Sequence, residues 1–147
     1  MKYVHTNLVA RNWKVLADFY IKVFKCEPVP PERDLSGDWI DRAVNLRETH
    51  ITGVHLRLPG YKDGPTLEVF QYDDEPARET IYPNTPGLCH LAFSVEDVLA
   101  TADKIVEMGG DWLGQLTEVE IKGVGRLVFA YMRDPEGNII EIQKHES

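Results

Sequence analysis

Only two cysteines, Cys26 and Cys89, occur in the 147 residues, and no CxxC pair is present. A disulfide framework or a zinc knuckle is therefore excluded, and both residues read as reduced thiols. Clustered basic charge is missing as well. The 16 Lys and Arg are scattered against 24 Asp and Glu, a formal net charge of −8, so the chain lacks the footprint that nucleic acid or an anionic membrane surface requires. No apolar run approaches the length of a membrane span, and the opening MKYVHTNLVARN lacks the continuous apolar segment of a signal peptide. The expectation is a cytoplasmic protein with a small-molecule partner, bound neither to nucleic acid nor to membrane. What is present is an ordinary globular composition, 43% hydrophobic and 27% charged, in about one domain's length.

The order of elements repeats. KYVHTNLV alternates as a strand, and NWKVLADFYIKVF follows with Trp13, Leu16, Phe19, Tyr20, Val23 and Phe24 at helical spacing behind Asn12 as N-cap. A proline-rich stretch, CEPVPPERDLSGD, leads to WIDRAVNL, a short helix or a strand, and then to the strands GVHLRL and PTLEVFQY. After the polar connector DDEPARETIYPNTPG the order restarts with the strand LCHLAFSV and the helix EDVLATADKIVEMGG, which ends on a Gly pair suited to a C-cap. The strands DWLGQLTEV, RLVFAYMR and NIIEIQK finish the chain.

An offset of 85 residues carries His5 onto His90, Ala17 onto Ala102 and Asp18 onto Asp103. An offset of 73 carries Gly64 onto Gly137, Glu68 onto Glu141 and Val69 onto Ile142. Two modules result, 1–72 and 88–144, joined by the connector 73–87 within a single domain; each is too small to bury its sheet face alone. Strand parity puts Leu67 and Val69 on one face and Glu68 with Phe70 on the other, and it likewise separates Ile140 and Ile142 from Glu141. His90 also falls on the face away from its module's helix, and His5 is consistent with that placement. Taken singly, each His would be a surface or core residue. Together, His5, Glu68, His90 and Glu141 form a set of hard-to-borderline metal donors. His50, His55 and His145 have no repeat partner and read as structural or exposed. Trp39, Trp112 and Phe70 read as pocket lining or simple core, and Cys89 falls by parity on the helix side.

RDPEGN contains Asp134, Pro135 and Gly137, which suit a type I turn closed by a left-handed Gly, with Asp134 paired to Asn138. Counting back sets Tyr131 opposite Glu141 on the same face, within reach of a substrate oxygen.

The order His5, Glu68, His90, Glu141, with GLCHLAFSVEDV and RDPEGNIIEI, resembles the vicinal oxygen chelate superfamily, which includes glyoxalase I, methylmalonyl-CoA epimerase, extradiol dioxygenases, fosfomycin-resistance thiol transferases and bleomycin-resistance proteins. The resemblance covers nearly the whole chain. It implies an α+β fold of two βαβββ modules paired into a cupped mixed sheet around one divalent ion (Zn, Ni, Co, Mn or Fe), with ligands at the four positions named, and a homodimer. Glu68 stands where the glyoxalase I and epimerase branches place a fourth ligand; epimerases usually have Gln there, so Glu68 favours the glyoxalase-like arrangement. TLEVFQYDD does not resemble the glutathione-binding segment of glyoxalase I, and MRDPEGN replaces the HPK signature of epimerases. Four protein ligands leave two positions of an octahedral ion for substrate oxygens, which suits polarising a carbonyl beside an acidic C–H. The implied activity is that of a glyoxalase-like lyase or isomerase acting on a small α-oxygenated substrate by proton transfer through an enediolate. Glu141 is the first candidate for general base and Glu68 the second; Tyr131 and Phe70 are the candidate substrate contacts. Fosfomycin-resistance enzymes place a substrate-binding Tyr at the position matching Tyr131. The alternatives are a bleomycin-resistance-like binding module without catalysis, an epimerase and an Fe(II) extradiol dioxygenase.

Overall fold

A computed structural model describes residues 1–146 as two compact units, Met1–Arg78 and a second from Glu79 onward. Unit 1 runs β1 (His5–Val9), α1 (Trp13–Phe24), β2 (Glu27–Ser36), α2 (Asp38–Val44), β3 (His50–Arg57) and β4 (Thr66–Tyr72). Its four-stranded sheet has the order β1-β4-β3-β2, with β1 parallel to β4 and the other pairs antiparallel. Unit 2 runs β5 (His90–Ser94), α3 (Val98–Glu107), β6 (Asp111–Trp112), β7 (Thr117–Ile121), β8 (Gly125–Arg133) and β9 (Ile139–Glu146). Its five-stranded sheet has the order β5-β9-β8-β6, with β7 also paired to β8. The fold is mixed α+β, with three helices among the described residues.

Both long helices begin where a side chain can replace a missing backbone acceptor. Asn12 Oδ1 accepts from Val15 N at 3.2 Å, and Asp97 Oδ1 from Ala100 N at 2.9 Å. α3 stops at Gly109, whose φ of 91° suits a residue without Cβ, while Gly110 N donates to Ile105 O. The periodic apolar stripe of α1 buries Leu16, Phe19, Tyr20 and Phe24, and the alternate residues Val54, Leu56, Leu67 and Val69 of β3 and β4 are buried with them. In unit 2, α3 packs on β8 and β9 and buries Ala102 and Ile105.

Two segments depart from the sequence reading. The proline-rich stretch, which the sequence reading left without an element, is β2, a strand at the sheet edge whose pairing with β3 breaks between Val29 and Arg33. Pro30 and Pro31 fall within that break, where no ladder hydrogen bond is demanded of their missing N–H groups. DWLGQLTEV is two short strands, β6 and β7, rather than one. WIDRAVNL resolves as a helix, α2. Its Ile40 packs with Ile51 and Phe70, flanked by Leu35, Val44 and Tyr72. Phe70 and Tyr72 share Glu68's strand parity, so α2 covers one end of the face that carries Glu68 and has no counterpart among the described residues of unit 2. Trp39, on the same helix, is left exposed.

Candidate metal and substrate site

The two units build the same local arrangement from different sequence. In unit 1, β1 lies parallel to β4 with His5 opposite Thr66, two residues before Glu68. In unit 2, β5 lies parallel to β9 with His90 opposite Ile139, two residues before Glu141. The identical register brings each imidazole against its acid. His5 Nε2 is 3.1 Å from Glu68 Oε2, and His90 Nε2 is 3.1 Å from Glu141 Oε2. Both carboxylates are largely withdrawn from solvent, with 14% and 13% of the side chain exposed. A carboxylate so placed needs a cation or strong donors beside it.

The third member of each cluster comes from the antiparallel neighbour. Tyr131 of β8 stands directly opposite Glu141 of β9, with its ring edge-on to His90 at 5.2 Å between centroids. The turn that sets this register has Asp134 N donating to Asn138 O and Gly137 N to Asp134 O, both at 2.9 Å, and Gly137 at φ 84°. Buried Asp134 holds the turn from within, accepting from Glu136 N, Asn138 N and Asn138 Nδ2. Burial, then the charge of Glu141 and a hydrogen bond to it, and lastly Cys89, push the Tyr131 phenol above its ordinary pKa. At neutral pH the hydroxyl keeps its proton and acts as a donor. Cys89 lies just ahead of β5, where strand parity no longer applies, and its thiol donates to Pro83 O at 3.3 Å.

In unit 1 the corresponding position is His55, opposite Glu68 across β3 and β4. Its Nε2 is 3.0 Å from Glu68 Oε1, its Nδ1 3.0 Å from Thr66 Oγ1, and its ring 5.7 Å from that of His5. The sequence reading gave His55 no repeat partner; the paired register supplies one, Tyr131, and places His55 half-buried against the acid. The fixed offset hid this because the first hairpin is longer, with thirteen positions from His55 to Glu68 against ten from Tyr131 to Glu141. Burial lowers the His55 pKa first; the charges of Arg33 and His5 lower it further, and Glu68 opposes them.

His5, His55 and Glu68 each offer a ligand atom within 4.8 Å of the others. Two imidazoles and a carboxylate suit a borderline divalent cation such as Zn, Co, Ni or Fe, so the residues present fit such an ion. Asn7 Nδ2 also donates to Glu68 Oε2, at 3.3 Å. Phe70 is buried, with its ring 5.9 Å from His55, which makes an apolar wall beside the donors. Its place is secured by Gly53, directly across the strand pair: a Cβ there would fall 2.6 Å from Phe70 Cδ1 and also against the Val69 carbonyl oxygen.

The other two histidines lie elsewhere. His50 is gripped between Asp73 Oδ2 at 2.8 Å and Asp34 Oδ1 at 2.7 Å, and hydrogen bonds to Asp73 and then Asp34 raise its pKa. His145 is exposed on β9.

Residues 2–142 match the family described as the Glyoxalase/Bleomycin resistance protein/Dioxygenase superfamily. No curated protein matches the chain. Among solved structures, a glyoxalase family protein from Bacillus cereus superposes with a TM-score of 0.81 at 17% identity, covering 100% of this chain and 94% of that one. A glyoxalase I mutant from Zea mays gives 0.68 at 18% identity, covering 99% of this chain but 45% of the maize chain. TioX from Micromonospora sp. ML1 gives 0.58 at 16% identity, covering 99% of this chain and 100% of that one. At these identities the likeness establishes a shared fold.

Proposed function

Because the chain belongs to the glyoxalase, bleomycin-resistance and dioxygenase superfamily, which includes many enzymes, we propose that it is a metal-dependent lyase or isomerase of the glyoxalase type, acting on a small α-oxygenated substrate. The observation that carries this reading is the doubled register: in each unit a first-strand histidine meets a half-buried last-strand glutamate at 3.1 Å. His5 with Glu68, and His90 with Glu141, would supply the ligands of a divalent cation. When bound, that cation polarises a carbonyl oxygen and so acidifies the adjacent C–H.

The remaining work falls to this chain's own side chains. Glu141 takes the substrate proton and returns it at the neighbouring carbon, with Glu68 next in line for that role. Tyr131 donates its hydroxyl hydrogen to a substrate oxygen, and the phenol's raised pKa keeps that hydrogen in place. Phe70 shields the reacting carbon from water. The exposed sheet edges, β1 and β2 in unit 1 and β5 in unit 2, suit pairing with a second copy, and a homodimer by sedimentation velocity is the expected assembly.

Elemental analysis of the purified protein tests the reading. About one equivalent of Zn, Ni, Co, Mn or Fe per chain is expected, either as isolated or after incubation with the ion. A chain that carries none and refuses all five would contradict it and return the protein to the non-catalytic, ligand-binding side of the superfamily.

A further inference from the structure

We infer that unit 1 alone can hold the divalent cation, with His55 as a third protein ligand beside His5 and Glu68. The inference rests on the reading above and adds a donor to it. Its first support is geometric. One carboxylate stands between two imidazoles, His5 Nε2 being 3.1 Å from one of its oxygens and His55 Nε2 3.0 Å from the other. His55 Nδ1 is 3.0 Å from Thr66 Oγ1; in the tautomer protonated at Nδ1 the hydroxyl accepts from it, which leaves the Nε2 lone pair facing Glu68 and open to a cation. A histidine fixed through one nitrogen by an outer hydrogen bond, with the other facing further donors, is how metal-ligating imidazoles are oriented.

The second support comes from the difference between the units. Unit 2 has Tyr131 at the matching position, where a hydroxyl hydrogen bond to Glu141 serves the carboxylate without any ion. Unit 1 places an imidazole nitrogen where unit 2 places a phenol hydroxyl. The unit 1 trio thus offers three ligand atoms within 4.8 Å of one another, whereas unit 2 offers His90 and Glu141, with Tyr131 a hydrogen-bond donor beside them. Two nitrogens and one carboxylate select borderline ions such as Co, Ni or Zn over Mg or Ca.

The test is a Co(II) titration of the full chain, followed by d–d absorption and by competition with a chelator. The double variant His90→Ala/Glu141→Ala is expected to bind one Co(II) more weakly than wild type, with an absorption spectrum that retains nitrogen ligation. Adding His55→Leu should weaken that binding by at least about tenfold, and Thr66→Val alone should weaken it by a smaller factor. His55→Tyr, which copies the arrangement of unit 2, gives the same loss in a form that keeps a hydrogen bond to Glu68 and so guards against misfolding. A double variant whose Co(II) affinity is indifferent to residue 55, or one that takes no ion while wild type takes one, overturns the inference and leaves the four-ligand reading standing. A wild-type chain that takes no ion overturns that reading, and the inference with it.

Discussion

Glu141→Gln should retain much of the bound metal yet lose about 10²–10⁴-fold in the rate at which the substrate C–H exchanges with solvent deuterium. Glutamine keeps an oxygen for coordination and a shape that fits between Ile140 and Ile142, both fully buried on the opposite face. It has no basic oxygen to accept a proton, so the variant separates holding the ion from moving the proton. Tyr131→Phe should behave differently. The ring still packs edge-on to His90, but the hydroxyl that stands over Glu141 is gone. Loss of one hydrogen bond of about 0.5–1.5 kcal/mol should raise KM roughly two- to thirteenfold with little change in kcat. Deuterium exchange measured by NMR on both variants distinguishes the roles. Undiminished exchange in the Gln variant would leave Glu141 as a ligand only and direct attention to Glu68, whose Gln variant should then show the loss.

Gly53→Ala is expected to be the most damaging single-methyl change in unit 1. The added carbon would meet Phe70 Cδ1 at 2.6 Å and the Val69 carbonyl oxygen, and the oxygen belongs to a paired strand that cannot step aside. Overpacking of this kind costs about 1–3 kcal/mol, or roughly 2–9 °C in Tm for a chain of this length. The Phe70 ring would turn away from Ile40 and Ile51 and from His55, while the contact with the Val69 oxygen would strain the strand pair itself. Differential scanning calorimetry reads the loss of stability. A metal titration of the same variant should show weakened binding, because the wall that orients His55 has moved. An unchanged Tm would mean that the strand pair yields more readily than its hydrogen bonding suggests.

What could be read from sequence follows from which physical constraints are local. The faces of β4 and β9 were legible because apolar residues alternate with the acid at a period of two, and Asp134-Pro135-Glu136-Gly137 spelled its turn closely enough to place Tyr131 opposite Glu141. Helix α1 announced its start through Asn12 and α3 its end through the Gly109–Gly110 pair; the Asp97 cap of α3 came only with the structure. The strand β2 was hidden because prolines argue against a strand unless the strand is known to lie at an edge and to be bulged, which is a tertiary fact. His55 was missed for a related reason. An offset of 73 lands it on Val128, since the hairpin in unit 1 is three residues longer than its counterpart, and only the paired register restores Tyr131 as its equivalent. A search that aligned the two hairpins from their acids backward, allowing one gap at the turn, would have found it. The role of α2 in covering the Phe70 end of the donor face had no signal at all, because a helix without a repeat partner carries no internal comparison.

The central proposal is that His5, Glu68, His90 and Glu141 are metal ligands. An anomalous difference map from crystals grown with Zn(II), collected at the zinc edge, tests it most directly. The expected result is a single strong peak about 2.0–2.2 Å from a nitrogen of each histidine and an oxygen of each glutamate. A map with no peak at these side chains, or with peaks held only by other residues, would contradict it.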